Sequence, residues 1–442
     1  MARRSEVRRQ ALHIAVGAIA LSLAWLTWQQ AALMAIVAVG FNLFILPRIS
    51  PGVFRDGDLG RPWASGIVMY PIAVLGLILV FRHRLDLAAA AWGVLAAGDG
   101  MATLVGTTVR SARLPWNREK SVAGLFAFVV AAAVAAVGLL AWTAGAPVSS
   151  WMIVTGVLAA LVAGLVETVP IRLDDNISVP IASAAVLWSA TLVDPALMME
   201  RWPDVREIAT YGLAVNAAVA LIGWLARTVT TPGAITGACI GTVVVAGAGW
   251  AGWALLMLTF LVSSACTRIG HARKAAAGIA EDRGGRRGPG NAIANTGLAA
   301  WASAIAIGLP DPTPAWVVAT AALATAGSDT VASEIGKAYG KTTWLVTRFT
   351  RVPPGTTGAV SVEGTIAGLL SAALLAGAGA WLGLVAAWTV ALIAIAATLA
   401  SLAEGVLGAT LEDRGILNND TLNFVNASIG AALTFGVWRW WA

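Results

Sequence analysis

Of 442 residues, 58% are apolar and only 12% charged, and the mean hydropathy is +0.78. Water-soluble domains carry about 25% charged residues, so this composition excludes one, along with any sizeable disordered tail. The net charge of +6, from 29 basic and 23 acidic residues, fits basic loops between membrane helices, and nucleic acid is not an implied partner.

A membrane helix needs roughly 20 apolar residues. In chain order, such stretches begin near residues 11, 29, 63, 86, 120, 150, 176, 206, 232, 250, 291, 314, 360, 380 and 420. They predict an all-α polytopic membrane protein of about 15 transmembrane helices, and continuous apolar runs exclude a transmembrane barrel. The opening, with Arg3, Arg4, Arg8 and Arg9 before an apolar run, reads as a first helix and not as a cleaved leader. Basic residues then recur in alternate loops: Arg48, Arg55 and Arg61; Arg110, Arg113, Arg118 and Lys120; Arg268, Arg273, Lys274, Arg283, Arg286 and Arg287; Lys337, Lys341, Arg348 and Arg351. The positive-inside rule places these loops and the N-terminus in the cytoplasm, and the Ala-, Gly- and Arg-rich composition suggests a bacterial source and hence the cytoplasmic membrane. Arg82 and Arg84 depart from the pattern and can snorkel from a helix end. Cys239 and Cys266, both in apolar stretches, support neither a disulfide framework nor a metal cluster.

The two halves share an ordered set of polar and small residues. The first carries Asp99, Ala102 and Gly106, then Ser121 and Gly124. The second carries Asp329, Ala332 and Gly336, then Ser361 and Gly364. Each continues to an acid at a helix end, Glu167 or Glu404. Each then reaches a polar turn, Leu173-Asp174-Asp175-Asn176 or Leu417-Asn418-Asn419-Asp420. The expected organisation is two parallel seven-helix repeats, residues 1–195 and 231–442, joined by a linking helix within 196–230.

Ionisable groups in hydrocarbon cost about 2.5–3.5 kcal/mol on insertion scales and point to function. Asp99 and Asp329 each follow an apolar run among glycine and serine. Glu167, Asp174, Asp175 and Asn176 offer the oxygen ligands that Mg²⁺ prefers. Arg118 and Lys120 precede a helix start at Ser121, where free backbone N–H groups favour phosphate. In the second half, the turn Gly355-Thr356-Thr357-Gly358 before Ser361 reads either as a phosphate cradle or as a solvated loop whose Gly and Pro only break helices. A near-match to a P-loop at Gly336–Thr342 has its glycines one residue too close and no preceding strand. His13, His83 and His271 are too scattered for a zinc site.

These motifs carry two resemblances. Residues 5–195 resemble the membrane polyprenol kinase family that includes phytol and dolichol kinases. The likeness runs through Arg9 and His13, Gly98-Asp99-Gly100-Met101-Ala102 with Gly106, Glu119-Lys120-Ser121 with Gly124, and Glu167 with Asp174-Asp175-Asn176. Residues 225–440 are similar to the membrane family that includes the phytyl-phosphate kinase of tocopherol biosynthesis. Here the matching stretches are Thr267-Arg268-Ile269-Gly270, residues 283–295, Ser328 to Gly336, Val352 to Gly364, and Leu417 to Asn423.

The resemblances imply a bifunctional enzyme that phosphorylates an isoprenoid alcohol to its monophosphate and then to the diphosphate. They imply CTP as donor and Mg²⁺ as cofactor, with the lipid substrate in the membrane. They place Asp99, Lys120 and Asp175 in one catalytic site, and Asp329, Glu334 and Asp420 in the other. Metal would be held by Asp99, Glu167, Asp174, Asp175 and Asn176, and by Asp329, Glu404, Asn419 and Asp420. Phosphate would meet Arg118, Ser121 and Gly124, and in the second half Arg268, Arg287, Lys337, Lys341, Gly355, Thr356, Thr357 and Ser361. The competing readings are a lipid-phosphate or small-anion transporter and a CTP-dependent lipid cytidylyltransferase.

Overall fold

The structure is a computed structural model describing residues 2–50, 65–279 and 285–441, with side chains from Arg9 onward. The side chains of Arg3, Arg4 and Arg8, and the residues Arg55, Arg61 and Arg283, lie outside that description. The protein is a helical membrane protein. Among the described residues, eight helical stretches are long and apolar enough to cross a membrane: Trp28–Ile49, Leu85–Thr108, Val122–Ala144, Ser150–Glu167, Pro195–Leu225, Thr231–Arg268, Val362–Trp381 and Thr389–Glu412. Their outer faces are apolar too, as Phe126, Val134, Ile366 and Leu370 are all more than half exposed, the pattern expected where lipid replaces water.

The chain forms two compact units, Met1–Thr191 and Leu192–Ala442. The first contains α1 (Ala2–Gly17), α2 (Trp28–Gly40), α3 (Leu46–Ile49), α4 (Gly66–Val80), α5 (Leu85–Gly93), α6 (Gly100–Thr108), α7 (Val122–Ala144), α8 (Ser150–Glu167) and α9 (Asp175–Ala190). At its centre is α5, whose residues Leu87 to Gly93 are all buried, as are Val94 and Leu95 just beyond it. A helix apolar all round and built mainly of alanine can take neighbours on every side, and α5 packs against α4, α7 and α9. A π-helical turn, Val94–Asp99, joins α5 to α6 and carries Asp99 as its last residue. The wider turn alters the backbone register at that point, as such turns do at functional sites.

The second unit contains α10 (Pro195–Leu225), α11 (Thr231–Arg268), α12 (His271–Ala276), α13 (Pro289–Ala306), α14 (Thr313–Tyr339), α15 (Val362–Trp381), α16 (Thr389–Leu407) and α17 (Asn419–Trp441). α11 is two helices joined at Gly249, whose φ of 63° and ψ of −167° suit only glycine. This agrees with separate apolar stretches from 232 and 250. Central to the unit is α14, with Ala319 to Ser328 continuously buried against α11, α13, α15, α16 and α17. A three-stranded antiparallel ribbon of β1 (Thr343–Leu345), β2 (Thr350–Arg351) and β3 (Ala359–Ser361), in the order β2-β1-β3, precedes α15.

Local geometry around the shared motifs is alike in both units. Ser121 caps α7 by accepting from the Gly124 N–H at 3.1 Å, and Ser361 caps α15 by accepting from Gly364 at 3.0 Å. Each serine is approached through an antiparallel pairing, with Arg113 in one unit and Thr343 in the other. A Cβ on Gly124 would lie 3.1 Å from the Ala102 carbonyl, and one on Gly364 would lie 2.4 Å from that of Ala332. These glycines let α6 approach α7, and α14 approach α15, at backbone distance.

Candidate active site

In the first unit, four segment ends converge. Asp99 comes from the π-helical turn, Lys120 from the residue before the Ser121 cap, Glu167 from the last residue of α8, and Asp175 from the first residue of α9. Carboxylate oxygens of Asp99, Glu167 and Asp175 all lie within 4.8 Å of one another. Among the described residues this is the one group of three or more acidic, histidine or cysteine side chains that could hold a metal ion. Lys120 Nζ is bonded to Glu167 and lies 3.4 Å from Asp175 Oδ2. Burial opposes the charge on Lys120, but Asp175 and Glu167 outweigh it and hold the ammonium above the ordinary lysine range. The cluster therefore contains three carboxyl groups and one fixed positive charge.

Asp174 and Asn176 do structural work beside it. Asp174 caps α9, its Oδ1 accepting from the Asn176 N–H at 2.9 Å and from the Asn176 side chain at 2.7 Å. They orient the acidic turn and leave Asp175 to face Lys120. Ser121 and Gly124 are committed to the α7 cap, and Arg118 is exposed on the loop before it.

His13 was set aside in the sequence as one of too few histidines for zinc, yet it reaches this site. Its ring lies against the backbone of Leu95 in the π-helical turn and interacts with it electrostatically. Its Nε2 is buried without a hydrogen-bond partner. Nε2 stands 3.6 Å from Asp99 Oδ2, and the ring packs edge-on to Tyr70 at 4.7 Å. Tyr70 in turn accepts from Trp92 Nε1 at 2.7 Å. Nε2 and Asp99 together form one edge of the carboxylate cluster. The signal available in the sequence was the Arg9 to His13 spacing, which has no chemical meaning until α1 is placed against α6.

The second unit distributes its predicted residues differently. Asp329 on α14 and Glu404 on α16 bring their carboxyl groups close enough to interact. Lys337 and Glu412 interact electrostatically with Asp329, and Glu412 had not been singled out by spacing. Glu334 is instead paired with Lys274, both being at most 2% exposed, while Lys274 Nζ also donates to the Thr267 carbonyl at 2.9 Å. Lys274 had been assigned to an open basic loop, but α12 folds it inward against α14. Lys337 lies 4.0 Å from the other Glu334 oxygen.

The Asp420 carboxylate lies against Gly290 at the start of α13, and Asn419 is exposed beside it. Gly355, Thr356 and Thr357 form an exposed turn between β2 and β3, with Gly355 at φ 87°. Arg268 and Lys341 are exposed, whereas Ser361 is buried as the α15 cap and Arg287 is half-buried.

Residues 214–431 match the family described as integral membrane protein DUF92. An uncharacterized membrane protein of Synechocystis sp., sll0875, is 44% identical over 202 residues, covering 45% of this chain and 78% of that protein. Protein VTE6, chloroplastic, of Arabidopsis thaliana is 40% identical over 199 residues, covering 43% of this chain and 60% of the relative. Probable phytol kinase 3, chloroplastic, of Glycine max is 30% identical over 200 residues, covering 41% and 62% respectively. The chain thus spans less than two thirds of the latter two relatives. No solved structure matches it.

Proposed function

The chain belongs to the DUF92 family of integral membrane proteins, and from that premise we propose that it is an isoprenoid kinase acting twice. An alcohol becomes a monophosphate in the first unit, and the monophosphate becomes a diphosphate in the second. The observation that carries this reading is the cluster of Asp99, Glu167 and Asp175 around Lys120. Phosphoryl transfer is mainly positioning and charge neutralisation, and this cluster supplies ligands for a hard cation next to a fixed ammonium. The similarity to a protein named probable phytol kinase supports an isoprenoid alcohol as acceptor.

The hard oxygen donors of Asp99, Glu167 and Asp175 fit Mg²⁺. When bound, the ion would neutralise charge on the phosphates of the donor, for which CTP is proposed. Lys120, released from Glu167, would reach a phosphate oxygen. The acceptor hydroxyl would attack the terminal phosphorus as the bond to the nucleoside diphosphate breaks, and its proton would pass to the His13–Asp99 edge. In the second unit Asp329, Glu404 and Asp420 are the corresponding acids. Lys337 and Arg287 supply the extra positive charge that an anionic acceptor requires.

The test is product analysis by mass spectrometry. Purified protein receives phytol, geranylgeraniol or farnesol with Mg²⁺ and either CTP or ATP, alongside Asp99→Ala and Asp329→Ala. Wild type is expected to form the diphosphate, Asp329→Ala to stop at monophosphate, and Asp99→Ala to act only on added monophosphate. If no acceptor gains a phosphate, the kinase reading is wrong. Flux in sealed vesicles without nucleotide would then identify a transporter, and release of pyrophosphate a cytidylyltransferase.

A further inference from the structure

The loop that carries Lys120 is a compact turn closed by its own hydrogen bonds. The Leu114 N–H donates to the Lys120 carbonyl at 3.1 Å, and the Lys120 N–H donates to the Asn117 carbonyl at 3.2 Å. Arg113 Nη1 donates to the Glu119 carbonyl at 2.9 Å, and the Glu119 N–H donates to Asn117 Oδ1 at 3.0 Å. With its backbone fixed in this way, the place where the turn docks decides where Lys120 stands.

It docks on one residue. Trp116 Nε1 donates to Thr168 Oγ1 at 3.0 Å, and Asn117 Nδ2 donates to the Thr168 carbonyl at 3.1 Å. Thr168 is the C-cap of α8 and 1% exposed, and its hydroxyl donates in turn to the Leu165 carbonyl at 2.7 Å. A helix end leaves carbonyls open to such donors. Because Thr168 directly follows Glu167, the anchor ties the lysine-bearing turn to the backbone that carries the lysine's partner.

The second unit docks its corresponding segment at the corresponding place. Gly405 follows Glu404, and a Cβ on it would lie 3.2 Å from the Gly358 carbonyl oxygen and 3.3 Å from Val346. The ribbon before the Ser361 cap therefore rests on α16 as the turn before Ser121 rests on α8. Here the contact is bare backbone, and the residue before the capping serine is Val360 where the first unit has Lys120. The hydrogen-bonded anchor occurs in the unit that has a lysine to aim.

We infer that Thr168, through Trp116 and Asn117, is a positioning residue that holds Lys120 against Glu167 and Asp175. Lysine has a flexible four-carbon stem, and Lys120 is partly exposed, so a loosened turn would let the ammonium turn to solvent. The proposed first step enters this inference only through the expected effect on rate, since the placement of Lys120 involves no substrate.

The test is trace acetylation of the full chain in nanodiscs, without nucleotide or lipid acceptor, read at each lysine by mass spectrometry. Exposed Lys341 is the internal reference. An ammonium paired with carboxylates is a poor nucleophile, so wild-type Lys120 is expected to label well below Lys341. Thr168→Val keeps the shape without the hydroxyl and should raise the Lys120 rate several-fold, while Thr168→Ser keeps the hydroxyl and should label as slowly as wild type. Asn117→Ala alters only the turn and should also raise the rate, which covers a Thr168→Val protein that fails to fold. The inference is overturned if Thr168→Val and Asn117→Ala both leave Lys120 at the wild-type rate. It is equally overturned if Thr168→Ser labels as fast as Thr168→Val. Turnover of geranylgeraniol with CTP and Mg²⁺ is measured on the same samples. Thr168→Val should lower kcat about tenfold or more, because a displacement of roughly 1 Å can cost on the order of 100-fold. The expected labelling in a protein that phosphorylates no alcohol would retain the anchor and discard the kinase reading. An active wild type whose Lys120 is indifferent to Thr168 would do the reverse.

Discussion

At the residue scale, Lys120 has the position that decides how the first site is charged. Glu167 is 4% exposed, and removing its cation leaves a buried carboxylate with neighbours of the same sign. Lys120→Met should therefore lower stability by about 1–3 kcal/mol, below the roughly 3–5 kcal/mol of fully buried pairs because Lys120 is itself partly exposed. If the carboxylates form a cation site, Mg²⁺ should restore more stability to Lys120→Met than it adds to wild type. Melting curves with Mg²⁺ or with chelator measure this without any substrate. Equal Mg²⁺ responses would show that the three acids do not bind the ion together. The charged residues of this site were legible in the sequence because carboxylates at helix ends are conspicuous in apolar surroundings. His13 was not, since its meaning depends on α1 bringing it within 3.6 Å of Asp99 in a π-helical turn. Lys274 and Glu334 are 60 positions apart, and no local pattern separates a lysine that folds inward from one that stays in solvent.

At the element scale, closely packed helices depend on residues with no side chain. Gly364 on α15 faces the Ala332 carbonyl of α14, where a Cβ would stand at 2.4 Å. Neither partner is a flexible side-chain end, so the helices must separate. Gly364→Val is expected to cost about 1–3 kcal/mol, as overpacking generally does. Gly377 on the same helix has nothing within 4 Å of its Cβ position, so Gly377→Val should stay close to wild type in a thermal melt. Equal losses from both would mean that helix propensity, not the α14–α15 contact, is responsible. The helices themselves were readable from continuous apolar runs, while the shared Asp, Ala and Gly offsets marked corresponding positions in the two halves. The ribbon of β1 to β3 was not readable. Pro353, Pro354 and Gly355 mark a turn, but pairing Ser361 with Thr343 requires contacts that only the folded unit creates. The register of the turn at Val94–Asp99 is likewise set by packing and leaves no composition signal.

At the scale of the whole molecule, the chain has two compact units, each with one central buried helix leading to an aspartate. If each carries one step, the monophosphate made in the first must reach the second. Burying a lipid chain contributes about 0.8 kcal/mol per CH₂, so a 20-carbon monophosphate remains in the bilayer and does not cross water on the time scale of turnover. The intermediate should therefore exchange between protein molecules within one membrane but not between membranes. Full-length Asp99→Ala and Asp329→Ala, each unable to complete the sequence alone, are reconstituted either together in the same liposomes or in separate liposomes that are then mixed. Diphosphate is expected from geranylgeraniol only in the co-reconstituted sample. Formation in neither sample, with each variant still competent in its own single step, would mean that the intermediate passes between sites of one molecule without entering the bilayer. Formation in both would mean that the monophosphate escapes to water, against the partition energy of its chain.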